Sequence, residues 1–337
     1  MTGTKIINSP DDFVRETMEG IIAAHGDKVR LLDDDFRVLL SNYDAPEGKV
    51  GIVTAGGSGH LPLFLGYVGD GMLDGCAVGE VFASPAAEKM TEMIRACDRG
   101  AGVLCLYGNY NGDKFNFQMA TEEVEFDDIE TLHLLGRDDV ASSPAENADK
   151  RRGVAGILYG FKIAGAAAAQ MKSLQEVHDL AARALENTRT MGVALTPCIV
   201  PKVGTPTFEI PEGKIEVGMG IHGEAGIEVR DMMTADEVAA TILEAIEADM
   251  PLASGDEVSV MVNGLGGTPL EEQYIVYRAV HTALADKGVA VVMPHIGEFA
   301  TSMEMAGLSV TVCKLDAELK ELLLAPAKTP FYTNLNK

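Results

Sequence analysis

Short apolar runs in this 337-residue chain end repeatedly in glycine, and two of them deliver a histidine held between glycines. Val50–Val53 leads into Gly-Gly-Ser-Gly-His at 56–60, and Ile215–Met219 leads into Gly-Ile-His-Gly-Glu at 220–224. A short apolar run bounded by turn residues reads as a buried strand. In α/β folds, sites are built on the loops that leave such strands. Little side-chain crowding surrounds a histidine set between glycines, so a small molecule can reach its ring. Two such loops from distant parts of the chain predict one composite pocket.

The rest of the pattern alternates. Residues 10–25 read as an amphipathic helix with Asp11 or Asp12 near its start. Lys49–Thr54 reads as a strand, and Phe82–Ala101 as a helix with Ser84 at the N-cap and Pro85 at the first helical position. Gly102–Tyr107 is a strand that runs into Asn109-Tyr-Asn-Gly-Asp113, with Asp113 at its mouth. Phe115–Val124 is helical and Ile129–Leu135 a strand. Arg151–Ala169 is a Gly- and Ala-rich helix suited to close packing, and Ser173–Thr190 an amphipathic one. Pro197, Pro201 and Pro206 make 193–208 an irregular connection, which places a domain boundary near residue 190. Beyond it come a helix at Ala235–Ala248, a strand at Glu257–Val262 ending in Asn263-Gly-Leu-Gly-Gly267, a helix at Pro269–Lys287, and strands at Val289–Met293 and Ser309–Lys314. This order predicts two α/β domains. The first, residues 1–190, has a mostly parallel sheet covered by helices. The second, residues 191–337, is a smaller mixed α/β domain whose last residues can return to the first.

Composition excludes several function classes. The net charge of -24 argues against nucleic acid, because phosphate neutralisation needs clustered Lys and Arg. No run of apolar residues is long enough to span a membrane. The start of the chain lacks a signal-peptide pattern, so a cytoplasmic location is expected. Five scattered cysteines, none in Cys-x-x-Cys, suit a reducing compartment without structural zinc. Gly218-Met-Gly-Ile-His-Gly223 has the spacing of a dinucleotide fingerprint, but no apolar helix follows, and Glu224-Ala-Gly226 would interrupt one. That leaves a nicotinamide-dependent dehydrogenase a remote reading. No Walker-type phosphate loop is present. His222-Gly-Glu224 resembles the zinc deaminase motif without its cysteines. No metal site is expected.

Each candidate has two readings. Gly56–Gly59 is either a tight turn or a backbone N–H cradle for an oxygen-rich ligand. His60 and His222 are either hydrogen-bonded structural residues or reactive ones, and their glycine setting favours the second. His25, His133, His178, His281 and His295 lack that setting and read as surface or satisfied residues. Asp113 is a turn residue or a general base toward a hydroxyl. Arg151-Arg152 reads as an exposed helix start, and 263–269 as a glycine turn or a domain contact.

Taken in order, several stretches resemble the substrate-binding subunit of dihydroxyacetone kinase over essentially the whole chain. They are Gly56–His60, Gly66–Leu73, Gly79–Pro85, Asn109–Asp113 with Asn116-Phe117, Arg151–Ala155, Gly218–Gly226, Asn263–Leu270 and Thr301–Gly307. The resemblance implies a mechanism. His222 matches the histidine whose ring nitrogen adds to a ketone as a covalent hemiaminal. Asp113 matches the base that takes the proton of the attacking hydroxyl, and His60 the second pocket histidine that assists it. Gly57 and Ser84 match positions lining the substrate; Ser58 and Gly59 of the same loop are expected to join them. The substrate class is a short ketose, dihydroxyacetone or a four-carbon relative such as erythrulose. No cofactor is expected on this chain. The phosphoryl donor is either ATP-Mg or a phosphohistidine relay of the phosphotransferase system, acting through a nucleotide-bearing helical subunit. With no room for that helical domain in 337 residues, a partner subunit is expected. The family is typically homodimeric. It also includes ketose-sensing relatives that partner a transcription regulator, which is the alternative reading.

Three departures from the family pattern stand out. Leu61 replaces a glutamate, Leu63 and Phe64 replace small or polar residues, and Gly108 replaces a lysine. The first two predict a more apolar rim. The third predicts extra volume that would admit a longer ketose.

Overall fold

The computed structural model describes residues 5–335. Two six-stranded sheets form its frame. After helix α1 (Phe13–His25), the first sheet takes β1 (Val29–Leu32), β2 (Asp35–Ser41), β3 (Gly51–Ser58), β4 (Gly75–Val81), β5 (Val103–Gly108) and β6 (Thr131–Gly136), in the spatial order β1-β2-β4-β3-β5-β6. The four strands β4, β3, β5 and β6 run parallel, and β1 and β2 add an antiparallel edge. Helices α2 (Ala87–Cys97) and α3 (Asn111–Val124) follow β4 and β5. Ile52, Val53, Val103 and Leu104 are fully buried, as expected of strands covered on both faces.

Helices α4 (Ile157–Ala169) and α5 (Leu174–Glu186) lead to the second sheet. That sheet is built from β7 (Thr188–Ala194), β8 (Lys214–Val217), β9 (Glu228–Asp231), β10 (Glu257–Gly264), β11 (Ala290–Glu298) and β12 (Gly307–Leu315), ordered β11-β10-β12-β7-β8-β9. Only β10 and β11 pair in parallel, so it is a mixed sheet. Helices α6 (Ala235–Asp249) and α7 (Leu270–Asp286) cover it. Helix α8 (Ala317–Leu324) and the short hairpin β13 (Ala327–Lys328) and β14 (Thr333–Asn334) then carry the chain back to the first sheet. There Lys328 bridges Asp70, and the Thr329 hydroxyl donates to the Gly66 carbonyl at 2.8 Å. Among the described residues, no helix is long and apolar enough to cross a membrane.

Several boundaries differ from the sequence expectation, and three of them change how a segment is packed. Helix α5 opens with a Ser173/Glu176 capping box, an N-cap of the kind that contributes about 1 kcal/mol. It stops at Glu186, and Thr188–Ala194 is a strand. The threonines and Val193 there suit a pleated surface, and no glycine or proline marks the switch. Helix α2 begins only at Ala87 and has no side-chain cap, so Ser84 and Pro85 stay in the preceding loop. Helix α4 begins at Ile157, which leaves Arg151–Gly156 non-helical. Arg151 is not an exposed helix start: it is buried and forms a bidentate pair with Asp249 on α6, at 2.6 and 2.8 Å.

Candidate functional site

The site forms at the C-terminal ends of β3, β4 and β5, and the irregular segment 218–226 after β8 closes it from the second sheet. β4 lies on one side of β3 and β5 on the other, so the loops leaving β3 and β5 diverge and open a crevice between them.

The end of β3 is strand rather than free loop. Gly56, Gly57 and Ser58 complete it, and Ser58 donates its hydroxyl to the Gly79 carbonyl at 2.8 Å. That donation commits the hydroxyl proton to the sheet and leaves the oxygen as an acceptor only. Gly57 runs against the loop after β4, where a Cβ would meet the Ala83 nitrogen at 2.7 Å. This close approach is what brings Phe82 and Ser84 to the pocket. Phe82 holds a left-handed backbone (φ 58°) and stacks on the His60 ring, centroids 4.7 Å apart at 18°. Phe64 is not on the rim. It is buried and turns its ring over Gly56, edge-on to His60 at 6.2 Å.

His60 is fully buried. Its Nδ1 lies 2.8 Å from the Thr301 carbonyl, which fixes the proton on Nδ1 and leaves Nε2 as a bare lone pair. Nε2 has no hydrogen-bond partner. Burial, aided by the nearby charge of His222, depresses the His60 pKa to about 3, so the ring is neutral throughout the physiological range.

Asp113 sits in the first turn of α3 rather than in a turn before it, and is 5% exposed. Burial raises its pKa to about 6, against the opposing pull of the Ser84 hydroxyl and the His222 ring. Gly112 makes the Ser84 contact possible, since a Cβ there would lie 2.6 Å from the Ser84 oxygen. Freed from capping α2, Ser84 serves Asp113 instead. Asp113 Oδ1 is a second buried polar atom without a partner. Such atoms are rare and are the ones a hydroxylated ligand would satisfy.

His222 is the accessible member, its side chain 23% exposed. Its ring meets His60 edge-to-face at 4.6 Å and Tyr110 at 4.7 Å. Glu224 holds it twice: one carboxylate oxygen accepts from the His222 backbone N–H at 2.9 Å, the other lies 3.1 Å from Nδ1. Burial alone would raise the Glu224 pKa, but His222 and the Arg152 guanidinium outweigh it and bring it down to about 2. Arg152 in turn bonds Asp139 at 2.9 Å and the Gly218 carbonyl at 3.2 Å.

The structure thus brings His60, Asp113, Ser84, Gly57 and His222 together. Sequence reasoning missed Glu224, Arg152, Phe82 and Tyr110. The His-x-Glu spacing did signal Glu224, but only as a failed metal motif. Gly108 does not open the volume expected of it. A Cβ there would meet the Tyr110 ring at 3.0 Å, so that ring already fills the space beside it.

Comparison with known proteins places the whole chain. Residues 19–331 match the Dak1 domain family. The chain is 44% identical, over 97% of its length and 98% of the relative's, to the dihydroxyacetone-binding subunit of a phosphotransferase-system-dependent dihydroxyacetone kinase of Listeria innocua. It is 43% identical to the L-erythrulose kinase of Pectobacterium atrosepticum, covering 98% of this chain and 56% of that one. Among solved structures, the dihydroxyacetone kinase of C. freundii superposes with a TM-score of 0.90 at 29% identity, over 98% of this chain and 60% of that one. A dihydroxyacetone kinase operon co-activator superposes with a TM-score of 0.88 at 30% identity, over 95% and 98%. The match over residues 19–331 and the relative shared across nearly the whole of both chains make this chain a member of the Dak1-domain family, similar throughout to a dihydroxyacetone-binding kinase subunit.

Proposed function

We propose that this chain is the ketose-binding subunit of a dihydroxyacetone-type kinase, a phosphotransferase with an alcohol group as acceptor. The observation that carries the reading is the pairing of one accessible histidine, His222, with two buried unpartnered atoms, His60 Nε2 and Asp113 Oδ1. His222 Nε2 adds its lone pair to the ketone carbon. The C–N bond forms, the carbonyl π pair moves to oxygen, that oxygen takes a proton from water, and the ring passes its Nδ1 proton by way of Glu224 back to solvent, which leaves a neutral hemiaminal. Glu224 stabilises the positive charge that develops on the ring and holds the Nδ1 proton. A polyol such as glycerol has no electrophilic carbon and is excluded. Asp113, its pKa raised to about 6, then accepts the proton of the terminal hydroxyl as that oxygen attacks the donor phosphorus. His60 Nε2 accepts a hydrogen bond from the substrate. A partner subunit supplies the donor, and the subunit works as a homodimer.

Dihydroxyacetone and the four-carbon erythrulose both fit this chemistry, and relatives named for each support it. The co-activator relative supports a ketose-sensing reading. Asp113 argues for the kinase, because binding alone requires no base.

The test is native mass spectrometry with dihydroxyacetone, erythrulose and glycerol. A mass increase with the ketoses only, absent in His222→Ala, is the expected result. No adduct with either ketose, or an adduct retained in His222→Ala, refutes the covalent role.

A further inference from the structure

Asn263 ends β10 on the second sheet, inside the Asn263–Leu270 stretch that the chemistry above does not use. Its side chain is 0% exposed and fully committed. Oδ1 accepts from the Phe299 N–H and the Ala300 N–H, both at 2.8 Å. Nδ2 donates to the Ala300 carbonyl at 2.9 Å and to the Ser309 hydroxyl oxygen at 3.0 Å. An amide offers two donors and two lone-pair acceptor sites, so this one is saturated. One side chain therefore fixes both backbone groups of Ala300 and the N–H before it.

The following residues deliver that order to the site. The Thr301 carbonyl accepts the His60 Nδ1 proton, and the Thr301 N–H donates back to the His60 carbonyl at 3.2 Å. The Met303 N–H donates to the Gly59 carbonyl at 2.8 Å, and the Thr301 hydroxyl to the Leu61 carbonyl at 3.0 Å. The glycine-rich segment after Asn263 supports the same strip from behind: the Ser302 N–H donates to the Leu265 carbonyl and the Gly267 N–H to the Met305 carbonyl, both at 2.9 Å. The turn from 299 to 303 is thus clamped to the second sheet on one side and to the His60 loop on the other.

We infer that Asn263 is a positioning residue for His60: by fixing the 299–301 turn it sets the His60 tautomer and aims Nε2 at the substrate. The inference rests on the kinase reading for its kinetic consequence, but not for the tautomer itself. Asn263→Asp keeps the shape and both acceptances while turning the amide donor into an oxygen that faces the Ala300 carbonyl. Imidazole nitrogen-15 shifts then read the tautomer directly. Wild-type His60 is expected as the pure Nδ1–H form, and Asn263→Asp as a mixture. With a competent donor partner, kcat should fall about tenfold to a hundredfold, as for misplaced catalytic groups, with KM changed far less because His222 still anchors the ketose. In the His60→Ala background the same substitution should cost nothing further.

An unchanged His60 tautomer in Asn263→Asp overturns the inference. So does an equal loss of kcat in the presence and absence of the His60 ring, which would mark a merely structural role. If Asn263→Asp does not fold, Ser309→Ala removes one of the amide's two acceptors and repeats the test at smaller amplitude, where an unshifted tautomer is again decisive. Failure of the kinase reading would appear separately, as a wild-type protein without a ketose adduct.

Discussion

The two histidine loops began as near-equivalent sequences and end as opposites. His60 closes a parallel strand of the first sheet, is 0% exposed, and is gripped by a carbonyl from across the molecule. His222 lies in an irregular segment beyond β8, near the edge of the second sheet, keeps 23% of its side chain exposed, and is gripped by a carboxylate two residues away. The contrast follows from chemistry. The proposed nucleophile must be reached by a carbonyl carbon and acquires a positive charge, so it needs access and an ionised carboxylate partner. A hydrogen-bond acceptor must stay neutral and point one way, and burial with a fixed carbonyl achieves both. Glycines on either side made both loops possible without deciding which role each would take.

The division of labour is most severely tested at Asp113. Asp113→Asn should leave the mass-spectrometric adduct on His222 intact and lower phosphoryl transfer by about 10²–10⁴, the usual range for removing a general base. Full activity in that variant, with a competent partner, would remove the base from the proposal. Glu224→Gln should act on the His222 side alone. Replacing a charge-assisted hydrogen bond with a neutral one is expected to slow adduct formation about tenfold, read as the rate of mass gain, with the His60 tautomer unmoved.

pH separates the groups next. Phosphoryl transfer should rise with pH through about 6 as Asp113 loses its proton, and Asp113→Glu should shift that limb while His60 variants should not. Stability should respond with two signs. His60 and His295 have pKa values depressed by burial from 6.5 to about 3 and about 4, so the unfolded chain binds more protons between those values. Their contribution is complete above about pH 6.5 and is lost on acidification toward 3. Asp113, raised by burial from 3.8 to about 6, contributes most below pH 3.8 and loses that contribution as pH rises through 6. Urea midpoints for wild type and Asp113→Asn across pH 4–7 should therefore diverge in slope. Gly112→Ala, where the new methyl must displace Ser84, should lower the thermal midpoint through an overpacking cost of about 1–3 kcal/mol of stability, with the adduct on His222 unchanged.

Much of the frame was legible. The strands at β3, β5 and β10 announce themselves as apolar runs that lead into glycine, β12 as a run rich in valine, and α1 by its amphipathic pattern. β4 was not seen, because Gly75-Cys-Ala-Val-Gly-Glu-Val carries little β-branched bulk and is a strand by virtue of lying between β2 and β3. Arg151 and Arg152 were read as exposed, since nothing local marks a charge whose partner is Asp249 or Asp139. Ser84 was read as a cap because Ser-Pro before an apolar run is a capping pattern. Its hydroxyl instead serves Asp113 on α3, the helix that follows β5.

The sequence alone determined the class of fold, the two histidine loops and the order of the motifs, because these depend on spacing along the chain and on what glycine permits. Only the tertiary structure decided that His60 and His222 meet ring to ring, that Asp113 is buried deeply enough to hold its proton near pH 6, and that a turn 241 residues from His60 chooses its tautomer. Those properties are set by dielectric environment and by partners across the fold, and neither is written in local spacing.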